Sequence, residues 1–273
     1  MSGQQIEQSD MSDSKQTSAG FQVFGLTGLP MVNAGDDLPT LVLAALEAND
    51  QSLENGDCIC LAQKIVSKAE GRQISLADVE AGEEAERLAA ETDKDPRLVE
   101  LILAESTEVL RQKPGVLIMR HRLGLVGAHA GIDQSNIDHG DGEQALLLPI
   151  DPDASATRFQ TAIQKRTGIR VGVIITDSAN RPWRMGTIGI AIGAAGLTVL
   201  DDHRGGTDSY DRELKVTLIN RADAIASAAT LVMGETTERL PVAIVRGLPL
   251  VVGENGEQTA AIINRPLEED LFR

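Results

Sequence analysis

Aromatic residues are scarce in this chain of 273 residues, which has one Trp, one Tyr and four Phe, together 2%. Because 42% of the residues are hydrophobic, a core can form, but it must be built from Leu, Ile, Val and Ala. Few aromatic side chains remain to stack on nucleic-acid bases. The net charge of −16 also argues against nucleic acid and anionic membrane surfaces, since phosphate contacts need clustered Lys and Arg. A small anionic ligand could still bind where a few Lys or Arg side chains are close together.

Cysteine is limited to Cys58 and Cys60, two positions apart in an apolar run. Two neighbours on one face of a strand are poorly placed for a disulfide, so we expect reduced, buried thiols and a cytoplasmic protein. No apolar run approaches the roughly 18 residues of a membrane span. Residues 1–20 are polar and lack the apolar core of a signal peptide, which predicts a disordered tail.

Four arrangements with well-known chemistry are also absent. The sequence has no G-x-x-x-x-G-K-[ST], and therefore no P-loop, and no G-x-G-x-x-G that opens a helix. A G-x-S-x-G nucleophile elbow and a plausible Cys–His pair are missing as well. Any nucleotide must therefore be held by a different arrangement.

Helical and strand patterns alternate along the chain, which predicts a mixed α/β (α+β) fold of two closely packed lobes. The clearest strand is IRVGVIITDS, a nearly continuous β-branched run that is typical of a central strand. Other strands are predicted in FQVFGL, GDCICLAQKIVSKAEG, GVLIMRHR, LGLVGAHAG, GTIGIAIGAAGLTVL and LPVAIVRGL. Helices are predicted in DDLPTLVLAALEAND, AGEEAERLAAET, DPRLVELILAES, ADAIASAATLVMGE and PLEEDLFR. The segment LLLPIDPDASATRFQTAIQKRTG predicts a strand, a turn and a helix capped by Asp153 or Ser155.

The strongest candidate site follows the IRVGVIITDS strand, where Asp177 and Ser178 stand side by side. Ligands of α/β folds gather beyond such strand ends. A carboxylate and a hydroxyl there could ligate a hard divalent cation, whereas the alternative is an ordinary turn. Three residues on, Arg181 and Arg184 bracket the only Trp, and both could clamp a phosphate or a carboxylate. The alternative is a surface turn in which Trp183 anchors the loop in the core.

Further polar groups follow other strands. Asp133, with Ser135 and Asn136, comes after an apolar run, although taken alone this cluster favours an ordinary Asx-type turn. Lys64 and Lys68 lie four apart in apolar sequence and would share a face, either as phosphate ligands or as partners of nearby acids. Glu235 follows a predicted helix and could complete a metal site or simply be solvated.

Several motifs occur in the order found in the coenzyme F420-0:L-glutamate ligase family, which this sequence resembles from about Phe21 to Leu248. The shared motifs are GLPMV, QKIVSKAEGR, AGIDQSN, LLLPIDPDASA, GVIITDSANRPWRMG, AIGAAGL, LVMGE and PVAIVRGL. The resemblance implies a family-specific γ-glutamyl ligase fold, a catalytic unit over residues 21–273 with an undefined boundary between two interwoven lobes, and a homodimer. It also implies GTP-dependent addition of L-glutamate to the deazaflavin precursor F420-0 through an acyl phosphate. Two divalent metals, Mg²⁺ or Mn²⁺, would take part, and the resemblance admits K⁺ as an additional ion.

The resemblance also implies roles for individual residues. The metal ligands would be Asp133, Asp177, Ser178 and Glu235. Arg181 and Arg184 would bind phosphate or a substrate carboxylate during catalysis. The GTP contacts would be Leu29, Pro30, Met31, Val32, Gln63, Lys64, Lys68, Asn136, Met233, Gly234, Glu235, Thr236, Thr237, Glu238, Arg239 and Leu240.

Three residues depart from the family pattern. Asn180 and Asp211 stand where glycine is usual, and His129 stands where asparagine is common. We expect a more restricted backbone at the first two, because Asn and Asp adopt positive φ less freely than Gly. Two other functions remain open at this point: a metal-dependent nucleotide hydrolase that uses the same acids, and a non-catalytic binder of an anionic cofactor.

Overall fold

The computed structural model of the chain describes residues 20–249 and 258–271. All but the last residue of the predicted N-terminal tail lies outside this range. The strands are β1 (Gln22–Gly25), β2 (Cys58–Ala62), β3 (Gln73–Ser75), β4 (Ser106–Lys113), β5 (Val116–His121), β6 (Val126–Ala128), β7 (Gln144–Leu146), β8 (Gly172–Asn180), β9 (Thr187–Ala195), β10 (Leu200–Asp202), β11 (Leu218–Asn220) and β12 (Val242–Arg246). The α-helices are α1 (Leu38–Ala48), α2 (Gln63–Ala69), α3 (Glu83–Thr92), α4 (Pro96–Ala104), α5 (Pro152–Thr167) and α6 (Arg221–Met233).

A mixed five-stranded sheet forms the centre of the molecule, in the order β1-β12-β2-β8-β9. Only β2 and β8 run parallel; the other neighbouring pairs are antiparallel. The first five residues of β8 are buried between its two neighbours, as the apolar run predicted. The mixed α/β fold predicted from the sequence is confirmed.

Helices cover both faces of this sheet. Apolar residues of α1 and α5 pack with Leu61 and Val173 in one core cluster. On the opposite face, α6 packs on Cys58, Cys60 and Ile174. Both thiols are free and buried, as predicted.

Glycines in β9 let the helices approach closely. A Cβ at Gly189 would lie 2.5 Å from the Ala226 carbonyl oxygen of α6, and one at Gly193 would lie 2.4 Å from the Pro152 carbonyl oxygen of α5. Both distances are shorter than van der Waals contact with backbone atoms that cannot move aside. The Gly-rich composition of this strand is therefore a packing requirement.

The smaller lobe is inserted between α2 and α5. Its core joins α3 and α4 to β5 and β7, through residues such as Leu88, Ile102, Leu117 and Ala145. The sheet β4-β5-β6 belongs to this lobe. Strands were predicted at β5 and β6, which pair with each other, but not at β4, because its sequence STEVLRQK is largely polar and mostly exposed.

Three predictions of local structure were wrong. The strand predicted through GDCICLAQKIVSKAEG stops at Ala62 and continues as α2, because the neighbouring strand β12 begins at Val242, opposite Leu61. The N-cap of α5 is Asp151, not Asp153 or Ser155. Its side chain accepts a 2.9 Å hydrogen bond from the Ala154 amide. The helix begins this early because Pro152 takes the first helical position.

The third concerns the end of the chain. Instead of a helix over PLEEDLFR, the structure has a single 3₁₀ turn at Leu267–Glu269, and Phe272 and Arg273 lie outside the described residues. Three acidic residues and a proline within eight positions leave little apolar surface with which a longer helix could pack.

A buried ion cluster in the smaller lobe centres on Glu105, the residue that follows α4. The Glu105 Oε2 atom lies 3.0 Å from Arg72 Nη2, 3.2 Å from Arg122 Nη2 and 3.3 Å from His121 Nε2. Burial opposes the charged form, but hydrogen bonds from His121 and Arg72 and the two guanidinium charges lower the pKa of Glu105 to about 2. The carboxylate is therefore the common anchor for two arginines and a histidine that are far apart in the sequence.

We predict that Glu105→Gln destabilises the protein by about 3 kcal/mol, because it leaves a buried arginine without its counter-charge. The free energy of unfolding in urea measures the loss. The matched control is Glu84→Gln, which removes an exposed partner of Arg87 on the surface of α3 and should change stability far less. Equal, small losses in the two variants would contradict the anchoring role.

Candidate active site

Four chain segments meet at one edge of the central sheet because of the strand directions. The parallel pairing of β2 with β8 ends with Ala62 opposite Thr176, and β8 continues to Asn180 beside β9 alone. Antiparallel pairing puts the start of β12 and the end of β1 at the same edge, with Gly25 opposite Ala243. The loop after β1, the start of α2, the end of β8 and the loop before β12 therefore surround one space.

This space is a cavity of about 540 Å³. It gathers most of the residues that the family resemblance singled out, although they are spread over more than 200 positions of sequence. Those that line it are Leu29, Pro30, Met31, Val32, Gln63, Lys64, Lys68, Asn136, Asp177, Ser178, Met233, Gly234, Glu235, Thr236, Glu238, Arg239 and Leu240.

Asp177 lies just after an irregularity in the pairing of β8 with β9. The register of the two strands shifts between Ile175 and Thr176, and Asp177 then pairs with Ile190. Such bulges redirect side chains and are common beside active sites. Burial raises the pKa of Asp177 to about 7, and the charges of Asp133 and Glu235 add to this rise, while the Ser178 amide and Lys64 oppose it. Asp133 and Glu235 are thus close enough to Asp177 to disfavour its ionised form.

Asp133 is held by two side chains from the start of α2. Its Oδ2 atom lies 2.5 Å from Lys64 Nζ and accepts a 2.7 Å hydrogen bond from Gln63 Nε2. Its backbone pairs with Leu146 at the end of β7. The acid is therefore the point at which the smaller lobe contacts the cavity wall of the larger one.

The segment after Asp133 closes one side of the cavity. Lys68 Nζ donates a 2.9 Å hydrogen bond to the Asn136 carbonyl, and the Asn136 amide reaches the Thr236 carbonyl at 3.4 Å. Burial, and then the neighbouring charge of Lys64, lower the pKa of Lys68. This segment thus links α2 to the loop that precedes β12.

That loop begins at Gly234, which ends α6 with a φ of 72°. The Glu238 side chain folds back over this glycine and accepts a 2.8 Å hydrogen bond from the Thr236 amide. A Cβ at Gly234 would lie 2.2 Å from the Glu238 carboxyl carbon. Glycine is therefore needed here for both the backbone angle and the space.

A second cavity of about 490 Å³ lies on the other side of Asp177 and Ser178, which line both. Its walls are mostly apolar or small, with Ile118, Ile132 and Leu148 among them. Asp133, His129 and Arg181 are its main charged or titratable lining groups besides Asp177. The end of β8 is thus a thin partition between two spaces.

Two predicted site residues line neither cavity: Arg184 and Thr237. The expectation that Trp183 anchors its loop in the core was wrong, because the side chain is 87% exposed and the backbone has a φ of 66°. The structure also adds Thr176, whose buried hydroxyl has no hydrogen-bond partner among the described residues, to the wall of the first cavity. Its position directly before Asp177 at the strand end could have singled it out.

The donor set suits a divalent cation in its chemistry. The charges of Asp133 and Glu235 help to raise the pKa of Asp177, and the Thr176 hydroxyl, which has no partner among the described residues, and Ser178 supply neutral oxygens beside it. Hard cations such as Mg²⁺ and Mn²⁺ prefer such oxygen ligands. In the described residues, however, no three acidic, His or Cys side chains already converge on one point, and Asp133 is paired with Lys64.

The departures from the family pattern have different consequences for the backbone. Asn180 is extended at the end of β8, opposite Thr187, so no glycine is needed there. Asp211 and His129 do adopt positive φ, at 59° and 54°. The restriction expected from the sequence therefore applies at Asp211 and not at Asn180.

Comparison with known proteins agrees with this arrangement. Residues 27–247 match the family model described as F420-0:Gamma-glutamyl ligase. The chain belongs to this family. A protein of Methanothermobacter thermautotrophicus named coenzyme F420:L-glutamate ligase is 42% identical over 93% of this chain and 99% of its own length. Proteins of the same name from Methanopyrus kandleri and Methanocaldococcus jannaschii are 44% and 41% identical, over 89% and 92% of this chain and 93% and 96% of theirs.

We predict that Asp177→Asn makes the protein more stable than the wild type at alkaline pH. The folded pKa of about 7 lies above the ordinary value of 3.8, so ionisation destabilises the fold increasingly as the pH rises between these values and by a constant amount above them. The advantage of the variant in free energy of unfolding should therefore be larger at about pH 8.5 than at about pH 5.

Asp37→Asn provides a contrast of opposite sign. A hydrogen bond from the Thr40 hydroxyl, opposed by slight burial and helped by Arg166, lowers the pKa of Asp37, so its ionised form stabilises the fold above the ordinary pKa. Its replacement should cost stability at alkaline pH. An Asp177→Asn advantage that does not grow with pH would contradict the assigned electrostatics.

Proposed function

We propose that this protein joins L-glutamate to the deazaflavin precursor F420-0 through γ-glutamyl bonds, in a reaction that consumes GTP. The observation that carries the proposal is the partition formed by Asp177 and Ser178 between two cavities. A ligase of this kind must bring a phosphoryl donor and a carboxylate acceptor together, one on each side of the residues that act on the transferred phosphoryl group. The names of the relatives support the choice of substrates.

The first cavity would take GTP. Lys64 and Lys68 are cations in its wall, and the strongly acidic chain makes such local cations the natural contacts for phosphate. The apolar segment from Leu29 to Val32 would lie against the base, and the loop from Met233 to Leu240 would cover the nucleotide. The remaining proposed contacts are Gln63 and Asn136.

The second cavity would take the deazaflavin precursor. Its apolar walls suit a flat ring system, and glycines and alanines such as Gly127, Gly131 and Ala179 leave room for one. Arg181 lies in the same wall and would hold a phosphate or carboxylate of the precursor. The carboxylate to be activated would then face Asp177 and Ser178.

Chemically, a carboxylate is a poor acyl donor because its leaving group would be oxide. Transfer of the γ-phosphoryl group from GTP to the acceptor carboxylate forms an acyl phosphate and releases GDP. The amine of L-glutamate attacks the acyl carbon, a C–N bond forms, and inorganic phosphate leaves. The protein's part is to position the reactants and to stabilise the charge on the transferring group.

Four residues would hold two divalent cations, Mg²⁺ or Mn²⁺: Asp133, Asp177, Ser178 and Glu235. When bound, such cations neutralise charge on the phosphoryl oxygens. For these residues to act as ligands, Lys64 must leave Asp133, and its ammonium can then contact phosphate in the first cavity. K⁺ is proposed only as an additional ion.

A homodimer and a cytoplasmic location also belong to the proposal. Exposed apolar side chains support the dimer: Tyr210 and Val216, between β10 and β11, are each 86% exposed. No described helix is long and apolar enough to cross a membrane.

Two other functions use the same residues differently. A nucleotide hydrolase would consume GTP at a rate independent of glutamate and precursor. A non-catalytic binder would hold its ligand without turnover and without any effect of EDTA. The second apolar cavity next to the partition favours the ligase over a simple hydrolase, which needs room only for water.

Incubation of the protein with GTP, Mn²⁺, L-glutamate and F420-0 should yield products that are heavier by one or more glutamyl residues in mass spectrometry. Asp177→Asn should abolish product formation and retain the native circular dichroism spectrum. No product with any divalent metal or precursor form would end the ligase proposal. Full activity of the variant would end the assigned role of Asp177.

The two arginines around Trp183 give a matched pair. Arg181→Ala should raise KM for the precursor about tenfold or more, because it removes a charged contact from the second cavity. Arg184→Ala should change this KM much less, since Arg184 lines neither cavity. KM for GTP serves as the internal control in both variants. Equal effects of the two substitutions would contradict the placement of the precursor.

A further inference from the structure

Lys64 forms an ion pair with Asp133, one of the carboxylates beside the partition that Asp177 and Ser178 form. Its Nζ atom lies 2.5 Å from Asp133 Oδ2, a charge-assisted contact at the short end of the usual range. Both side chains are about a quarter exposed, at 27% and 26%, so the pair faces the cavity and can be reached by a ligand.

The same oxygen of Asp133 is also fixed from a second direction. Gln63 Nε2 donates to Oδ2 at 2.7 Å, and the Gln63 amide is itself fixed by a 3.0 Å hydrogen bond from Ser67 Oγ to its Oε1 atom. Gln63 and Ser67 are both buried. The position of the carboxylate is thus set by a rigid amide, whereas its charge is neutralised by a long and flexible side chain.

A cation and the lysine ammonium cannot share this oxygen without cost. A divalent ion of the size of Mg²⁺ binds oxygen at about 2.1 Å, which would place two positive centres within about 4 Å of each other. Lys64 also lines the first cavity, so an anion there could draw its ammonium away from Asp133.

We propose that Lys64 is the resident counter-ion of Asp133, which excludes divalent cations from this carboxylate until a polyphosphate in the first cavity attracts the ammonium. The inference rests on the proposed function, in that it takes the first cavity as a phosphate site and Asp133 as a metal ligand. Cation binding and nucleotide binding are then coupled, and by linkage each strengthens the other to the same extent.

Lys68 provides an internal comparison, since it lies one helical turn further along α2 and lines the same cavity. Its ammonium donates to the Asn136 carbonyl at 2.9 Å and is not paired with a carboxylate of the partition. Removal of either lysine changes the local charge equally, but only the loss of Lys64 frees Asp133.

The experiment is a titration of the full-length, EDTA-treated protein with Mn²⁺, in which electron paramagnetic resonance measures the free ion. The wild type should bind Mn²⁺ weakly without nucleotide and more tightly with GDP or a non-hydrolysable GTP analogue. Lys64→Met should tighten nucleotide-free Mn²⁺ binding about tenfold, within the usual range of coupling between two ligands of one site. Lys64→Gln is the second variant if the first does not fold, as judged by circular dichroism.

Lys68→Met is the matched control and should change nucleotide-free Mn²⁺ affinity far less. If both substitutions raise Mn²⁺ affinity equally, the loss of one positive charge explains the effect, and the proposal is overturned. An unchanged Mn²⁺ affinity in Lys64→Met would also overturn the proposal. Tight Mn²⁺ binding by the wild type that nucleotide does not strengthen would overturn it as well. Absence of Mn²⁺ binding in every variant, even with nucleotide, would overturn the metal assignment of the proposed function itself. Ligase activity, measured separately by mass spectrometry, distinguishes these failures.

Discussion

The parallel pairing of β2 with β8 is the constraint on which the rest of the site depends. Because these two strands run the same way, β2 ends at Ala62 opposite Thr176, and β8 continues past this point to Asn180, paired only with β9. The end of β2 leads into α2, with its two lysines, and the last part of β8 carries Asp177 and Ser178. The antiparallel strands β1 and β12, both on the β2 side, add two further loops to the same edge. A cavity at this edge follows from the strand directions.

The electrostatic character of the site follows from what meets there. Asp133 from the smaller lobe and Glu235 from the loop after α6 help to raise the pKa of Asp177 at the end of β8. A protein that served only as a scaffold would gain stability above neutral pH if Asp177 were replaced. Their presence beside two lysines and an apolar second cavity is the arrangement expected of a site that handles a polyphosphate next to a carboxylate.

Several elements of the fold and the site could be predicted from the sequence. The buried strand before Asp177, the helix that ends at Gly234 and the two free cysteines could be predicted from apolar runs and glycine alone. The gathering of residues from Leu29 to Leu240 around one cavity could not, since sequence patterns do not specify strand order. That expectation came from the resemblance to a family, and the structure gives it a physical basis.

The predictions that were wrong have local causes. The strand containing Cys58 and Cys60 was extended too far because an apolar run does not reveal where its neighbour stops. The wrong cap of α5 came from overlooking Pro152, and β4 was missed because its residues are polar. The ion pair of Lys64 with Asp133 could not be foreseen either, because 69 positions separate them and they belong to different lobes.

The central claim is that Asp177 and Ser178 separate a nucleotide site from an acceptor site. A crystal structure with Mn²⁺ and a non-hydrolysable GTP analogue, in which anomalous scattering locates the metal, tests it most directly. The account predicts triphosphate density between Lys64 and the loop that starts at Gly234, with Mn²⁺ beside Asp177 and the second cavity still open. Nucleotide in the second cavity, or Mn²⁺ remote from Asp133, Asp177 and Glu235, would contradict it.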